Sequence, residues 1–253
     1  MNWTSLGERK LLGERKALSL FTMGFSTTIF ILIGLSMGGD WGRCFYALAA
    51  VYALGFFALA AEWFWARWYV MGVAASGITM AILGLVTTGW NIGLAIWGGI
   101  HLLIWAPLLG DSMAERYENR PDWRLRYGLD DYGVVRIKRA VKSAATALPT
   151  LVLYALAPRE GQSLALWGLL GLAGLGFYGL VRMRFWGVAL LGVATAWTAL
   201  SVATELATRS TVMPMSGAQL SLTGIGLVAV TALVVAVSLF VLPAVRFLRQ
   251  RPR

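Results

Sequence analysis

The chain has 253 residues, 58% apolar and 13% charged, with a mean hydropathy of +0.68, and a soluble core cannot absorb that much apolar surface. Its net charge of +10 is gathered, as set out below, where a membrane surface needs it, which argues against nucleic acid as the partner. A single cysteine, Cys44, excludes an intrachain disulfide and a thiolate metal cluster built from this chain alone.

Residues 1–16 form a basic segment in which Leu6-Gly7-Glu8-Arg9-Lys10 is nearly repeated as Leu12-Gly13-Glu14-Arg15-Lys16. So long a charged preamble is unlike a cleavable signal peptide, and the apolar run after it is expected to be kept as a membrane helix. About 20 residues at ~1.5 Å each cross a ~30 Å hydrocarbon core. By that ruler the first span runs from about Ala17 to Met37 and stops at Gly38-Gly39-Asp40. The second covers Cys44 to Phe64 and ends on Trp63, Trp65, Arg67 and Trp68, where rings and a cation mark an interface. A third covers Tyr69 to Thr88, and Thr87-Thr88-Gly89-Trp90-Asn91 turns the chain into a fourth from Asn91 to Gly110.

Residues 111–142 make the long polar segment, divided by Pro121. After it comes a short fifth span, Ser143 to Ala157, in which Pro149 predicts a kink. The last three spans are Leu164 to Val181, Phe185 to Ala207 and Leu220 to Val245, and residues 246–253 form a basic tail. The expected fold is an all-α polytopic membrane protein, a bundle of about eight transmembrane helices.

Charge orients this layout. With the amino terminus inside, the outer loops hold only Arg43, Arg159 and Arg209 of the 22 basic residues, and Asp40, Glu160 and Glu205 balance them. The whole net charge then faces the cytoplasm, as the positive-inside rule requires of a multi-pass protein of a cytoplasmic (inner) membrane with both termini inside. Leu54-Gly55-Phe56-Phe57-Ala58-Leu59 resembles Leu175-Gly176-Phe177-Tyr178-Gly179-Leu180, and each is followed by a basic aromatic turn. The pair is either the trace of two parallel four-helix repeats or a chance likeness between apolar helices.

A titratable side chain deep in a span is the best pointer to chemistry in such a protein, because it is costly to keep there. His101, the one histidine, lies near the middle of the fourth span, on a helical face with Trp97 and Trp105. The His-x-x-x-Trp spacing of residues 101–105 resembles the gate of small viral proton channels, and the resemblance implies an ion or proton pathway past His101 and Trp105. Against it stands a plainer reading, a neutral imidazole bonded to a backbone carbonyl or a hydroxyl of a neighbouring helix. No cofactor is expected; a haem or pigment on His101 would need a partner chain or a single axial bond. Glu62 can reach Arg67 only loosely at this spacing and reads as an interfacial group.

In the polar segment Asp130-Asp131 caps a helix start, with Val134, Ile137 and Val141 on an apolar face and Arg136, Lys138, Arg139 and Lys142 on a basic one. This predicts an interfacial helix whose cations meet anionic headgroups or a partner. Glycines within the spans, such as Gly34 with Gly38 and the set Gly168, Gly171, Gly174 and Gly176, predict close helix packing, in the bundle or between subunits. No hydrolase triad, paired intramembrane aspartates or phosphate-binding glycine loop is present. The expectation is a non-enzymatic membrane subunit or lipid-contacting scaffold that associates with anionic lipid and with other membrane subunits or itself. The alternative is a small channel or carrier.

Overall fold

The computed structural model describes residues 3–118, 121–158, 165–207, 212–215 and 218–249. Its helices are α1 (Trp3–Met37), α2 (Gly39–Ala60), α3 (Ala66–Thr88), α4 (Ile92–Trp105), α5 (Asp111–Glu118), α6 (Pro121–Tyr127), α7 (Asp131–Leu156), α8 (Ala165–Val181), α9 (Phe185–Ala207) and α10 (Leu222–Arg249). A short antiparallel hairpin of β1 (Val212–Met215) and β2 (Ala218–Ser221) lies in the connection before α10, which the sequence had suggested was loop.

The chain is a membrane-spanning helical bundle. Among the described residues, five helices are long and apolar enough to cross a membrane, and a sixth crossing results if one bent pair counts as a single span. The difference from the expected eight has physical causes. The fourth expected span ends its α-helix at Trp105, passes through a 3₁₀ turn at Ala106–Leu108 around Pro107, and bends by 73° into α5, because proline has no N–H to continue the ladder. The apolar helix Leu166–Val181 is short, and α7 carries Arg136, Lys138, Arg139 and Lys142 in its first half.

That helix is also a correction. The interfacial helix and the fifth span are one unbroken element with Pro149 inside it. The predicted apolar face, Val134, Ile137 and Val141, is buried in the protein core instead of resting on lipid. Asp130 does cap it, accepting from the Gly133 N–H at 2.7 Å. The basic segment before residue 17 is likewise continuous with the first span in α1. Arg159, Glu160 and Arg209, which the charge argument placed outside, lie outside the described residues.

Helix α3 is the centre of the bundle, touching α2, α4 and α7. Its glycines set the distances: a methyl group on Gly72 would overlap the Lys142 carbonyl of α7, so backbone meets backbone there. Many serine and threonine hydroxyls inside the spans are spent on backbone carbonyls, either their own helix's (Thr22 to Leu18, 2.8 Å; Ser26 to Thr22, 2.9 Å) or a neighbour's. The neighbour bonds tie α1 to α4 (Ser19 to Ile104, 3.1 Å), α7 to α10 (Ser143 to Ala232, 2.7 Å) and α7 to α3 (Thr146 to Gly72, 3.1 Å). In hydrocarbon such groups have no water to turn to.

The turns after α2 and α8 are built alike. In the first, Trp63 N–H donates to the Ala58 carbonyl (3.1 Å) and Glu62 N–H to Leu59 (3.3 Å); in the second, Arg184 donates to Gly179 (2.8 Å) and Met183 to Leu180 (3.0 Å). Glu62 and Met183 hold the left-handed position at φ 53° and 55°, so both turns are Schellman closures with a non-glycine residue at the strained site. The same sequence interval relates the two packing contacts behind them, Gly55 against Val70 and Gly176 against Leu191.

Candidate functional site

His101 is fully buried on α4. The helix is started by Asn91, whose side-chain oxygen accepts from the Leu94 N–H at 3.2 Å, and it lies against α3 at Gly77, where any side chain would overlap the imidazole. The ring has partners at both nitrogens: Nδ1 lies 2.8 Å from the Trp97 carbonyl and Nε2 2.5 Å from the Tyr52 hydroxyl. A carbonyl only accepts, so Nδ1 carries the proton, and the neutral ring's Nε2 accepts from the Tyr52 O–H. The Trp97 ring lies 4.3 Å from the imidazole, centre to centre. Phe30 closes the group, edge-on to Tyr52 at 5.0 Å and to Trp97 at 5.6 Å.

Of the predicted stripe, the structure brings Trp97 to His101. Trp105 is half-buried one turn further along and packs at the edge of the core. Tyr52, Phe30 and Gly77 were missed, because each comes from another helix and no spacing links it to residue 101. The one available signal was a hydroxyl in mid-span at Tyr52, which needs a partner in an apolar medium. Beside this group, among α1, α2, α3, α4 and α7, is an apolar cavity of about 270 Å³ that Tyr52 and Ser76 also line. An axial bond from His101 to a haem or pigment would have to displace the Tyr52 hydroxyl from Nε2.

The charged groups gather at the break after α4. Ending a helix at Pro107 leaves carbonyls without donors, and two buried or half-buried guanidiniums supply them. Arg15 Nε donates to Pro107 O at 2.9 Å and its Nη2 to Leu109 O, while Arg67 Nε donates to Leu108 O at 2.8 Å and its Nη2 to Gly110 O at 3.4 Å. Arg67 Nη1 also binds the Glu118 carboxylate at 2.5 Å, which accepts in addition from Trp68 Nε1 (2.9 Å) and Lys138 Nζ (3.0 Å). Glu62 and Arg67, which the spacing allowed to meet only loosely, each pair elsewhere. Glu62, in the α2–α3 turn, takes Lys16 Nζ at 2.7 Å and Arg116 Nη2 at 2.5 Å. Arg67, the second residue of α3, is turned to the break and to Glu118 instead.

Of the predicted basic face, Lys138 turns inward to Glu118, and the Arg136 guanidinium lies 4.8 Å over the Tyr132 ring. Lys142 is half-buried and Arg139 is exposed. Among the described residues no group of three or more His, Cys, Asp or Glu is placed to hold a metal ion.

Burial alone would raise the Glu62 carboxyl, but the hydrogen bonds and charges of Lys16 and Arg116 outweigh it and hold the carboxyl at about 2. A carboxyl depressed on folding adds stability above its unfolded value and loses it as pH falls through the folded one. Between the ordinary 4.5 and about 2, the denaturation midpoint of the parent in detergent is therefore expected to drop. The Glu62→Gln variant should start lower and fall less over that range, and parallel curves would remove the linkage.

No family model, curated protein or solved structure matches the chain.

Proposed function

We propose that the chain is a non-enzymatic scaffold or subunit of a larger assembly in a cytoplasmic (inner) membrane, in contact with anionic lipid and with other membrane subunits or its own copies. The observation that carries this is where its buried polar groups spend their bonds. His101, Arg67 and Glu118 each find partners inside the bundle, so the costly groups are accounted for by holding helices in place. Eight crossings in two parallel four-helix repeats, with both ends cytoplasmic, complete the proposal. The like-built turns after α2 and α8 support the repeat, and the basic charge on the loops at that level supports the orientation.

Gentle detergent extraction from the native membrane is expected to recover the chain with other polypeptides or as a stable homo-oligomer. A monodisperse monomer, extracted under conditions that preserve known complexes of the same membrane, would overturn the proposal. Transport past His101 and Trp105 is the rival. It requires a pH-dependent flux in liposomes that His101→Ala changes, whereas the scaffold reading expects parent and variant liposomes to leak alike.

A further inference from the structure

We propose that the groove between the two like-built turns binds one anionic glycerophospholipid of the surrounding leaflet, with its phosphate between Arg126 and Arg182. The groove encloses about 630 Å³ and is bounded by the end of α2 and the turn after it, by α6, and by the last turns of α8. This volume is in the range of sites that hold a discrete small molecule. Its walls are aromatic, among them Trp63, Trp65, Tyr127 and Phe177, and among the described residues its charged lining is Arg126 and Arg182.

That combination selects the ligand. Two exposed guanidiniums, with no carboxylate among the described residues that line the groove, ask for a doubly shared anion, and phosphate oxygens match the planar fork of arginine. Arg182 is already posed for it, since its Nε donates to the Tyr178 hydroxyl at 3.2 Å and the guanidinium lies 5.6 Å over that ring. Indole and phenol rings at the level of helix ends are what a glycerol backbone meets at a membrane interface. Further along, the groove is lined by Leu54 of α2 and Gly174 of α8. Leu54 is partly exposed, and beyond Gly174 there is open space where a side chain would stand. An acyl chain laid there stays in hydrocarbon while the phosphate stays at the turns. A soluble organophosphate would leave this apolar part of the groove to water, so the lipid is the occupant to which charge and shape together point.

The proposal takes from the scaffold reading only that the chain sits in a membrane. It is tested on the purified chain alone, so a missing partner cannot decide it. Native mass spectrometry of the full chain in mixed micelles should show phosphatidylglycerol retained over phosphatidylcholine of the same acyl length. In the Arg126→Gln/Arg182→Gln variant that preference is expected to fall about tenfold or more, since each cation near an anionic surface contributes measurably. Gly174→Phe, which keeps both arginines and fills the acyl end, should lower it as well, while Arg43→Gln, an exposed cation at the opposite end of α2, should leave it unchanged. Unchanged melting of each variant in detergent shows that the fold is intact. Glycerophosphate, which lacks the chains, should not displace the lipid. An equal loss in the Arg43→Gln variant, displacement by glycerophosphate, or no preference in the parent would overturn the site.

Discussion

Glu118→Ala is expected to destabilise the bundle by about 3–5 kcal/mol, the cost of breaking a buried ion pair by removing one partner. The reason is the company this carboxylate keeps. Arg67 has a side chain only 6% exposed, and its charge would be left facing the core, held by the Leu108 and Gly110 carbonyls alone. The Trp68 indole, fully buried, would lose its acceptor too. Glu118→Gln keeps the oxygen that Arg67 and Trp68 share but loses the charge and the acceptor of Lys138, so its loss should be smaller, about 1–3 kcal/mol. Lys138→Met removes the more exposed partner and should cost about 1 kcal/mol or less. Tryptophan fluorescence during denaturation in mixed micelles ranks the three variants. If Glu118→Ala stays within ~1 kcal/mol of the parent, the clamp across the break contributes little and the guanidinium is satisfied by carbonyls alone.

The same clamp shows where sequence and structure part. Most of the spans are legible because they depend on nothing but run length and apolarity, and the end of α3 at Gly89 and both bounds of α9 fall where expected, whereas α2 starts and ends several residues earlier than Cys44 to Phe64. The end of the fourth span was misjudged because apolarity continues through Leu108-Leu109 while the hydrogen-bond ladder stops at Pro107. The fifth span was separated from its basic lead because hydropathy changes at Ser143, although a helix has no reason to break there. At the site, His101 and Trp97 were visible as a single-helix pattern one turn apart. Tyr52, Phe30 and Gly77 were not, since packing between helices leaves no periodic mark in one sequence. The ion pairs were missed for a related reason: Glu62 read as an interfacial group with only a loose reach to Arg67, whereas the partners of both come from α1 and α5, and Lys138 of α7 joins at Glu118.

Gly77→Ala should in turn cost about 1–3 kcal/mol, the usual penalty for adding a methylene-sized group to a filled core. The methyl would occupy the space of the imidazole, and the ring cannot yield freely because Trp97 O and Tyr52 Oη hold it from two sides. His101→Ala alone should also destabilise, by opening a cavity and leaving the Tyr52 hydroxyl, about 1% exposed as a residue, without its acceptor. Made together, the two changes should cost less than the sum of the singles by about 1 kcal/mol or more, because removing the ring makes room for the methyl. Tyr52→Phe tests the hydrogen bond by itself and should cost roughly 1–3 kcal/mol, since it leaves Nε2 buried without a donor. Additive costs for Gly77→Ala and His101→Ala would mean that α3 and α4 do not meet at this ring. A coupled pair would instead place the lone histidine where the scaffold reading needs it, as the peg that fixes how closely those helices approach.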